Sequence, residues 1–388
     1  MKKHVNLESF MRRYKRSGRQ SKGKILTELC DLYGYNRKYL LQFFNHLTGK
    51  KYSRPGPKVK YRPSEELLLP LKRIWLGSGQ LCSKRLKETI VGWLPSYEDS
   101  YGFLSEEVRQ KLLAISTGTL DKLLRPYRAK YKRRGLSGTR PGYLLKNQIP
   151  IKTNHWDITQ PGFMEADTVA HCGNSLAGDF AWSITMTDIL TCWTENRAIW
   201  GKGESGVVKQ IEDIEKSLPF LLLGFDCDNG SEFLNWHLMR YLSSNRKQPI
   251  QFTRSRPYRK NDNAHVEQKN WTHVRHLFGY DRYDKRVLVD LMNDIYKHEW
   301  GLYQNHFIPS QKLMKKEKIN SKYKKQYDKP KTPYQRVLAS EHVSNEKKME
   351  LAFTHQQLNP FKLKIVIEKK LRKIYQCIII NKKPRTKI

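Results

Sequence analysis

The sequence predicts an α/β protein in which a mixed β-sheet is covered by helices, with helical domains before it and a small basic region after it. Residues 155–285 alternate short β-rich runs with helical runs and begin with three strand patterns in succession, which indicates a mixed sheet. The residues before 135 instead carry the apolar spacing of helices. With 388 residues and 38% hydrophobic content, the chain can bury a sizeable core in about two to four domains.

The charge of the chain indicates a polyanionic partner. Lys and Arg total 73 against 37 Asp and Glu, which gives a formal net charge of +36, far beyond what solubility requires. Aromatic residues make up 11% of the chain and are interleaved with the basic ones, as on surfaces that stack bases and neutralise phosphates. Basic ribosome-binding proteins share this composition, so charge predicts nucleic acid without predicting a reaction.

The cysteines and the hydropathy of the sequence argue against several classes of protein. The six cysteines are scattered and contain no C-x-x-C pair, which argues against a zinc finger and against a disulfide framework. The sequence contains no apolar run of the ~18 residues that a membrane helix needs, and its first residues lack an apolar signal segment. We therefore expect a reduced, cytoplasmic and nucleoid-associated protein without a membrane partner.

The first predicted domain, residues 1–55, has the pattern of a helix-turn-helix DNA-binding domain. Two helical patterns between 21 and 48 are separated at Gly34. The second would present Asn36, Arg37 and Lys38 near its N-terminus, where base and phosphate contacts are usually made. An ordinary helical hairpin explains the local pattern equally well. The basic, Pro- and Gly-containing stretch 50–64 is interpreted as a linker.

The second predicted domain, residues 64–135, is again helical and helix-turn-helix-like. Ser105 before two glutamates predicts a helix N-terminus, and the turn at 116–118 precedes a candidate second recognition helix. The basic, turn-rich stretch 129–153 follows. It is either a solvated linker or a segment that tracks a phosphate backbone.

The third predicted domain, residues 155–285, holds the sheet, and residues 286–388 form the basic C-terminal region. The expected strands lie at 162–171, 180–189, 192–200, 218–226 and 250–255. The expected helices lie at 205–218, 231–244 and 265–279. We expect the C-terminal region to be helical and to form a small extra domain or an arm on nucleic acid.

Three acidic residues of the third domain are each expected at the end of a strand or at the beginning of a helix. Asp167 is expected at the end of the first strand, Asp228 at the end of the fourth, and Glu267 in the first turns of the last helix. Sixty residues separate the first two acids and thirty-eight separate the last two. This order, with the stretches EADTVAH, ITMTDILTCWTENRAI, FDCDNGSEF and SRPYRKNDNAHVEQKN, resembles the DDE integrase and transposase superfamily. The match is to integrase cores of bacterial insertion-sequence transposases, which are similar to retroviral integrases.

The resemblance implies an RNase H-like core and a polynucleotidyl transferase. Such an enzyme would cut DNA at the ends of a mobile element and transfer the released 3′-OH into target DNA. Two Mg²⁺ or Mn²⁺ ions per active site would serve an in-line displacement, and carboxylates are ligands that suit these ions. Asp167 would bridge both ions, Asp228 would bind one and Glu267 the other. The absence of a Cys/His cluster argues against zinc.

Other polar residues near the triad receive lesser roles. Three further acids are expected to lie outside the triad. Glu165 is expected to support the triad or to be solvated, and Asp226 is expected to be structural. Asp188 is also expected to end a strand, and the resemblance implies that it is not one of the triad. Four histidines are interpreted as polar residues with structural partners: His171, His265, His273 and His276.

The DNA contacts of the third domain are expected on one helix and one loop. Because residues three, four, seven and eight positions apart share a helix face, Asn270 and Arg275 are expected near DNA with Glu267, while Lys269 faces elsewhere. The loop before this helix would contribute Arg256, Tyr258 and Lys260.

The expected partner is double-stranded DNA, both element ends and target, bound by a homodimer or larger synaptic assembly. Two alternatives keep the same fold: an RNase H-like nuclease that does not join strands, and a catalytically inactive transposase-derived regulator. A ribosomal or RNA-packaging protein would explain the charge but not the three acids.

Overall fold

A computed structural model describes residues 7–47, 61, 63–130, 158–227, 233, 236–244, 248–254, 264–319 and 322–379. Backbone contacts divide the chain into two compact units, Met1–Arg62 and Pro63–Ile388. The division into four domains stays a prediction, because packing alone does not decide which segments would fold by themselves. The predicted linkers 50–64 and 129–153 fall almost entirely outside the described residues.

The N-terminal unit contains three helices, α1 (Leu7–Arg16), α2 (Arg19–Tyr33) and α3 (Arg37–Leu47). Gly34 ends α2 in the left-handed conformation, with φ of 67°, and its N–H donates to the Cys30 carbonyl at 2.9 Å. Leu29, Leu40 and Phe44 form the centre of a small core between the helices. The predicted break at Gly34 is therefore confirmed.

The second unit begins with four helices, which confirms the predicted helical region. They are α4 (Glu65–Gly77), α5 (Ser83–Tyr101), α6 (Glu106–Ala114) and α7 (Thr117–Lys130). Ser105 caps α6, and its side chain accepts a hydrogen bond from the backbone N–H of Val108.

A five-stranded mixed sheet follows. Its strands are β1 (Phe163–Ala170), β2 (Ala181–Asp188), β3 (Thr194–Trp200), β4 (Gly224–Cys227) and β5 (Gln251–Arg254). The spatial order is β3-β2-β1-β4-β5, in which β1 to β3 are antiparallel neighbours and β1, β4 and β5 run parallel. This order and these directions are those of an RNase H-like core, so the predicted fold class is confirmed. Asp167 lies inside β1 and not at its end, so that detail of the prediction was wrong.

One face of the sheet is apolar and carries the main core. Met164, Ala166 and Phe225 point to this face and pack against two helices, α8 (Glu204–Ser217) and α9 (Trp236–Ser243). Because strand side chains alternate, Glu165, Asp167 and Asp226 belong to the opposite face. That face is rich in polar side chains.

The polar face is covered by helical segments that follow the sheet. They are α10 (Ala264–Lys269), a π-helical segment π1 (Asn270–Arg275), α11 (His276–Phe278), α12 (Arg286–Ile295), a second π-helical segment π2 (Tyr296–Trp300) and α13 (Gly301–Phe307). Two amide side chains bind the outer backbone edge of β3 in the way that a neighbouring strand would. Asn305 bonds both the N–H and the C=O of Thr194, and Asn293 does the same at Ala198.

The C-terminal region is not entirely helical, which corrects the prediction. Two strands, β6 (Leu313–Ile319) and β7 (Lys322–Tyr327), pair antiparallel as a two-stranded sheet. They precede the helices α14 (Pro333–Leu338), α15 (Asn345–Gln357) and α16 (Pro360–Ile379). The lysine-rich composition that suggested a helix is compatible with a strand pair, because both conformations leave lysine side chains in water.

The helical region, the sheet and the C-terminal helices are joined by buried contacts. The indole N–H of Trp93 in α5 donates to the Phe307 carbonyl at 3.2 Å, and its ring meets that of Phe361 in α16 edge to face. Val337 and Leu351, from α14 and α15, belong to the apolar core of the sheet. Among the described residues, no helix is long and apolar enough to span a membrane.

Candidate active site

Asp167 stands on the polar face of β1, where a second side chain holds its carboxylate. Its Oδ2 accepts a hydrogen bond from Asn270 Nδ2 at 2.6 Å, and its Oδ1 accepts from the Thr168 backbone N–H at 2.7 Å. Asp167 is partly exposed to solvent. Asn270 Oδ1 is buried and has no hydrogen-bond partner among the described residues. Within the described part of the chain, the pair therefore combines a partly exposed aspartate with a buried amide oxygen that lacks a hydrogen-bond partner.

Glu165, two residues earlier on β1, has a different environment. It is 3% exposed, and its Oε2 accepts a hydrogen bond at 3.1 Å from the Val266 N–H in the first turn of α10. A carboxylate at this position accepts a hydrogen bond from a first-turn backbone N–H that has no acceptor within the helix. Glu165 thus attaches the beginning of α10 to the sheet. The structure supports the supporting role and not the solvated one.

Asp226 and Asp188 bind neighbouring protein groups. Asp226 on β4 accepts a hydrogen bond from the Thr253 hydroxyl of β5 at 2.6 Å. Asp188, at the end of β2, accepts from the Gly162 N–H and from both the N–H and hydroxyl of Thr191. Burial raises the pKa of Asp188, and these hydrogen bonds oppose the shift. Both acids connect structural elements, which agrees with the structural role expected of Asp226.

The other two predicted acids are located through their backbone neighbours. Asp228 lies outside the described residues, but Cys227 before it pairs with Ala166 in the parallel register of β4 and β1. Glu267 belongs to α10, although its side chain lies outside the described part of the chain. Within the described residues, no cluster of three His, Cys, Asp or Glu side chains could hold a metal ion. The metal assignment of Asp167, Asp228 and Glu267 stays a prediction.

The helix after Glu267 does not keep the regular spacing assumed from the sequence. From Asn270 to Arg275 the backbone is π-helical, which places more residues in each turn and rotates the following side chains. Val274 is fully buried, while Trp271 is 53% exposed. The guanidinium of Arg275 lies 4.8 Å from the centroid of the Tyr280 ring, and burial lowers its pKa. Arg275 therefore packs against the protein, and Asn270 contacts Asp167; contact of either residue with DNA stays a prediction.

Lys269 occupies a partly buried site beside Cys192. Its Nζ donates to the Cys192 carbonyl at 3.4 Å, and burial lowers its pKa to about 8.

Two of the four histidines noted in the sequence are buried. His273, close to Lys269, is buried, and burial lowers its pKa well below the usual value. His171 bonds the Ser183 hydroxyl at 2.8 Å through Nε2, and burial lowers its pKa to about 3. These buried groups have partners in the fold; the side chain of His265 lies outside the described residues and His276 is exposed.

The three predicted DNA-binding residues of the N-terminal unit differ in their contacts. Asn36 caps α3 by accepting from the Lys38 N–H at 2.9 Å, and Arg37 donates to the Thr27 hydroxyl of α2 at 3.0 Å. Lys38 is exposed. The predicted loop residues Arg256, Tyr258 and Lys260 lie outside the described residues.

Sequence reasoning placed Asn270 near DNA but missed its bond to Asp167. It also missed that Glu165 attaches α10 to the sheet. The sequence signals were present, because Glu165 shares the strand face of Asp167 and Asn270 lies three residues after Glu267. Neither spacing identifies a partner, because the contacts join residues about a hundred positions apart in the chain.

The strand order and strand directions define an RNase H-like fold. No family model matches the sequence. A protein of Sinorhizobium fredii (strain NBRC 101917 / NGR234), described as uncharacterized protein y4rM, is 35% identical over 340 residues, which are 85% of this chain and 93% of the relative. The chain belongs to the family of that protein.

Two solved structures illustrate what the chain is similar to. The catalytic core domain of BIV integrase is 16% identical and covers 47% of this chain and 96% of its own, with a TM-score of 0.29. A simian T-cell lymphotropic virus intasome in complex with PP2A regulatory subunit B56 gamma is 15% identical and covers 61% of this chain and 87% of its own, with a TM-score of 0.32. The fold is defined by the strand order.

Proposed function

We propose that this chain is a DNA transposase, or a closely related integrase-type polynucleotidyl transferase, that cuts element ends and transfers the 3′-OH into target DNA. One observation carries the proposal. The residues that immediately precede the three predicted acids lie side by side: Ala166 pairs with Cys227, and the Val266 N–H donates to Glu165, the neighbour of Ala166. This arrangement supports the convergence of Asp167, Asp228 and Glu267 at one place on the polar face.

The residues around Asp167 fit a hard divalent cation. Asp167 is partly exposed, and Asn270 contributes a buried amide oxygen with no partner among the described residues. Oxygen ligands of this kind suit Mg²⁺ and Mn²⁺. Asp167, Asp228 and Glu267 would hold two such ions, which when bound activate the attacking oxygen and neutralise the leaving one.

The residues of the chain itself would keep this site rigid. Asn270 restrains the Asp167 carboxylate, and Glu165 attaches the helix that carries Glu267 to the strand that carries Asp167. A site held by a strand and an attached helix has less freedom than one on loops, and active sites depend on such restraint. The proposal therefore assigns Asn270 and Glu165 positioning roles.

DNA binding by this chain is proposed from its charge. A net charge of +36 favours contacts to phosphate, which contribute much of the affinity of proteins for DNA. We assign Arg37 and Lys38 of the N-terminal unit to such contacts, together with Arg256 and Lys260, and we assign Tyr258 to stacking on a base. Because two element ends must be held together, a dimer or larger assembly on DNA is part of the proposal.

Strand transfer by the purified full chain tests the proposal. Labelled DNA carrying the element ends, taken from the sequence that flanks the gene, is incubated with target DNA and Mg²⁺ or Mn²⁺. The variants are Asp167→Asn, Asp228→Asn and Glu267→Gln. Asp226→Asn is the matched control, because it removes a carboxylate two residues from Asp228 while the amide oxygen can still accept from Thr253.

We expect joined products from the wild type and from Asp226→Asn, and none from the three triad variants. Cleavage without joining would favour the nuclease. Binding to the ends with neither cleavage nor joining would favour the inactive regulator. Full activity of any triad variant would contradict the assignment of that acid.

A further inference from the structure

The strand pair β6–β7 forms a basic ribbon in the C-terminal region. Its two strands contain six lysines and one acid, Glu317. The described side chains of Lys315, Lys324 and Lys325 are exposed, and so are Met314 and Tyr327, at 67% and 48%. A two-stranded hairpin is marginally stable by itself, and this one has exposed residues on both strands.

The base of the ribbon is firmly attached to the fold. Asp328, just after β7, accepts from the Lys312 N–H at 2.6 Å and pairs with Arg336 of α14 at 2.7 Å. The Lys312 ammonium donates to the Leu190 carbonyl in the turn between β2 and β3 at 2.9 Å. The ribbon is therefore presented from a fixed point on the sheet.

The backbone register of the ribbon brings basic residues of the two strands together. Lys316 pairs with Lys325, and Lys324 beside it pairs with Glu317. With six lysines and one acid, the two strands carry an excess of positive charge. An anionic partner would neutralise this excess, because the lysines would then bind phosphates.

We propose that the β6–β7 ribbon is a separate DNA-binding element that enters the major groove of duplex DNA. The major groove is about 12 Å wide and accommodates a two-stranded β-ribbon. Lysines on both strands would contact the phosphates that border the groove, and Met314 and Tyr327 offer apolar surface to base edges. The inference rests on the proposed function for the presence of DNA, but it concerns a surface remote in sequence from the predicted catalytic residues.

The test measures the affinity of the full chain for a fluorescent duplex over a range of salt concentrations, without divalent metal. The ribbon variant is Lys324→Gln with Lys325→Gln. The control is Lys369→Gln with Lys373→Gln, which removes the same charge from exposed positions of α16. The salt slope is the fall in the logarithm of the binding constant with the logarithm of the salt concentration, and each phosphate contact contributes about one to it. The ribbon variant is therefore expected to lower the salt slope by about two. The control should lower it by less than one, and thermal unfolding should show both variants as stable as the wild type.

A second duplex, whose major groove is filled by glucosylated hydroxymethylcytosine, tests whether the ribbon enters the major groove. On this DNA we expect the wild type and the ribbon variant to bind equally. A wild-type slope retained in the ribbon variant, or an equal fall in the control, would overturn the ribbon proposal. A difference that persists on glucosylated DNA would overturn the major-groove placement. A wild type that binds no duplex would instead contradict the proposed function.

Discussion

Asn270 donates a 2.6 Å hydrogen bond to the Asp167 carboxylate across a sequence separation of 103 residues. The donor lies at the first position of a π-helical segment, and the acceptor lies on the central strand of the sheet. This bond connects the helix of Glu267 to the strand of Asp167 at the proposed catalytic site.

Removing this amide should slow strand transfer without unfolding the protein. A hydrogen bond to a charged group contributes about 1.5–3 kcal/mol, so Asn270→Ala should reduce the rate roughly ten- to a hundredfold. Single-turnover joining rates with Mg²⁺ measure the effect. Gln268→Ala is the matched control, because it removes an exposed amide from the same helix. Equal rates for Asn270→Ala and the wild type would refute a positioning role for Asn270.

Glu165→Ala should destabilise the second unit. The substitution leaves the Val266 N–H without its acceptor in a buried place, which costs about 1–3 kcal/mol. Denaturant unfolding measures the change in the free energy of unfolding. Glu165→Gln should lose less, since its amide oxygen can still accept, and the exposed Glu341→Ala should lose nothing. Identical curves for Glu165→Ala and Glu341→Ala would contradict the attachment of α10.

Lys269 should make the stability depend on pH between about 8 and its ordinary value near 10.5. Burial lowers its folded-state pKa to about 8, so over this range the unfolded chain binds more protons than the folded one. Stability therefore rises with pH through this window, and the cost of burying the ammonium is largest below pH 8. Lys269→Met should raise the free energy of unfolding relative to the wild type more at pH 7 than at pH 10. A difference that is the same at both pH values would count against the buried ammonium.

Lys38→Ala should weaken DNA binding without changing the stability of the N-terminal unit. Lys38 is exposed, so its loss should remove about one phosphate contact and lower the salt slope by about one. Arg37→Ala should additionally lower the thermal stability, because Arg37 bonds Thr27 of the neighbouring helix. Lys24→Ala, an exposed lysine of α2, is the control for general charge. If Lys24→Ala and Lys38→Ala weaken binding equally, α3 has no special part in it.

The elements of the core could be predicted because their signals are local. The first three strands and the cap at Ser105 depend on neighbouring residues, and the structure confirms them. The fourth strand, predicted at 218–226, is confirmed in part, since β4 is Gly224–Cys227. The lysine-rich segment 313–327 was predicted wrongly as helical. Its composition does not distinguish two solvated conformations, and pairing between Lys316 and Lys325 is visible only after the chain folds back.

The sequence by itself determined the class of the fold, the charge that indicates a nucleic-acid partner, and the order of three acids that resembles the DDE superfamily. Tertiary structure decided which polar side chains meet: Asn270 with Asp167, Glu165 with the first turn of α10, and Lys269 with the Cys192 carbonyl. The physical reason is the distance along the sequence between the residues that interact. Strand and helix patterns arise from residues a few positions apart, whereas these contacts arise from packing between segments that are distant in sequence, and a π-helical turn changes which side chains face the sheet.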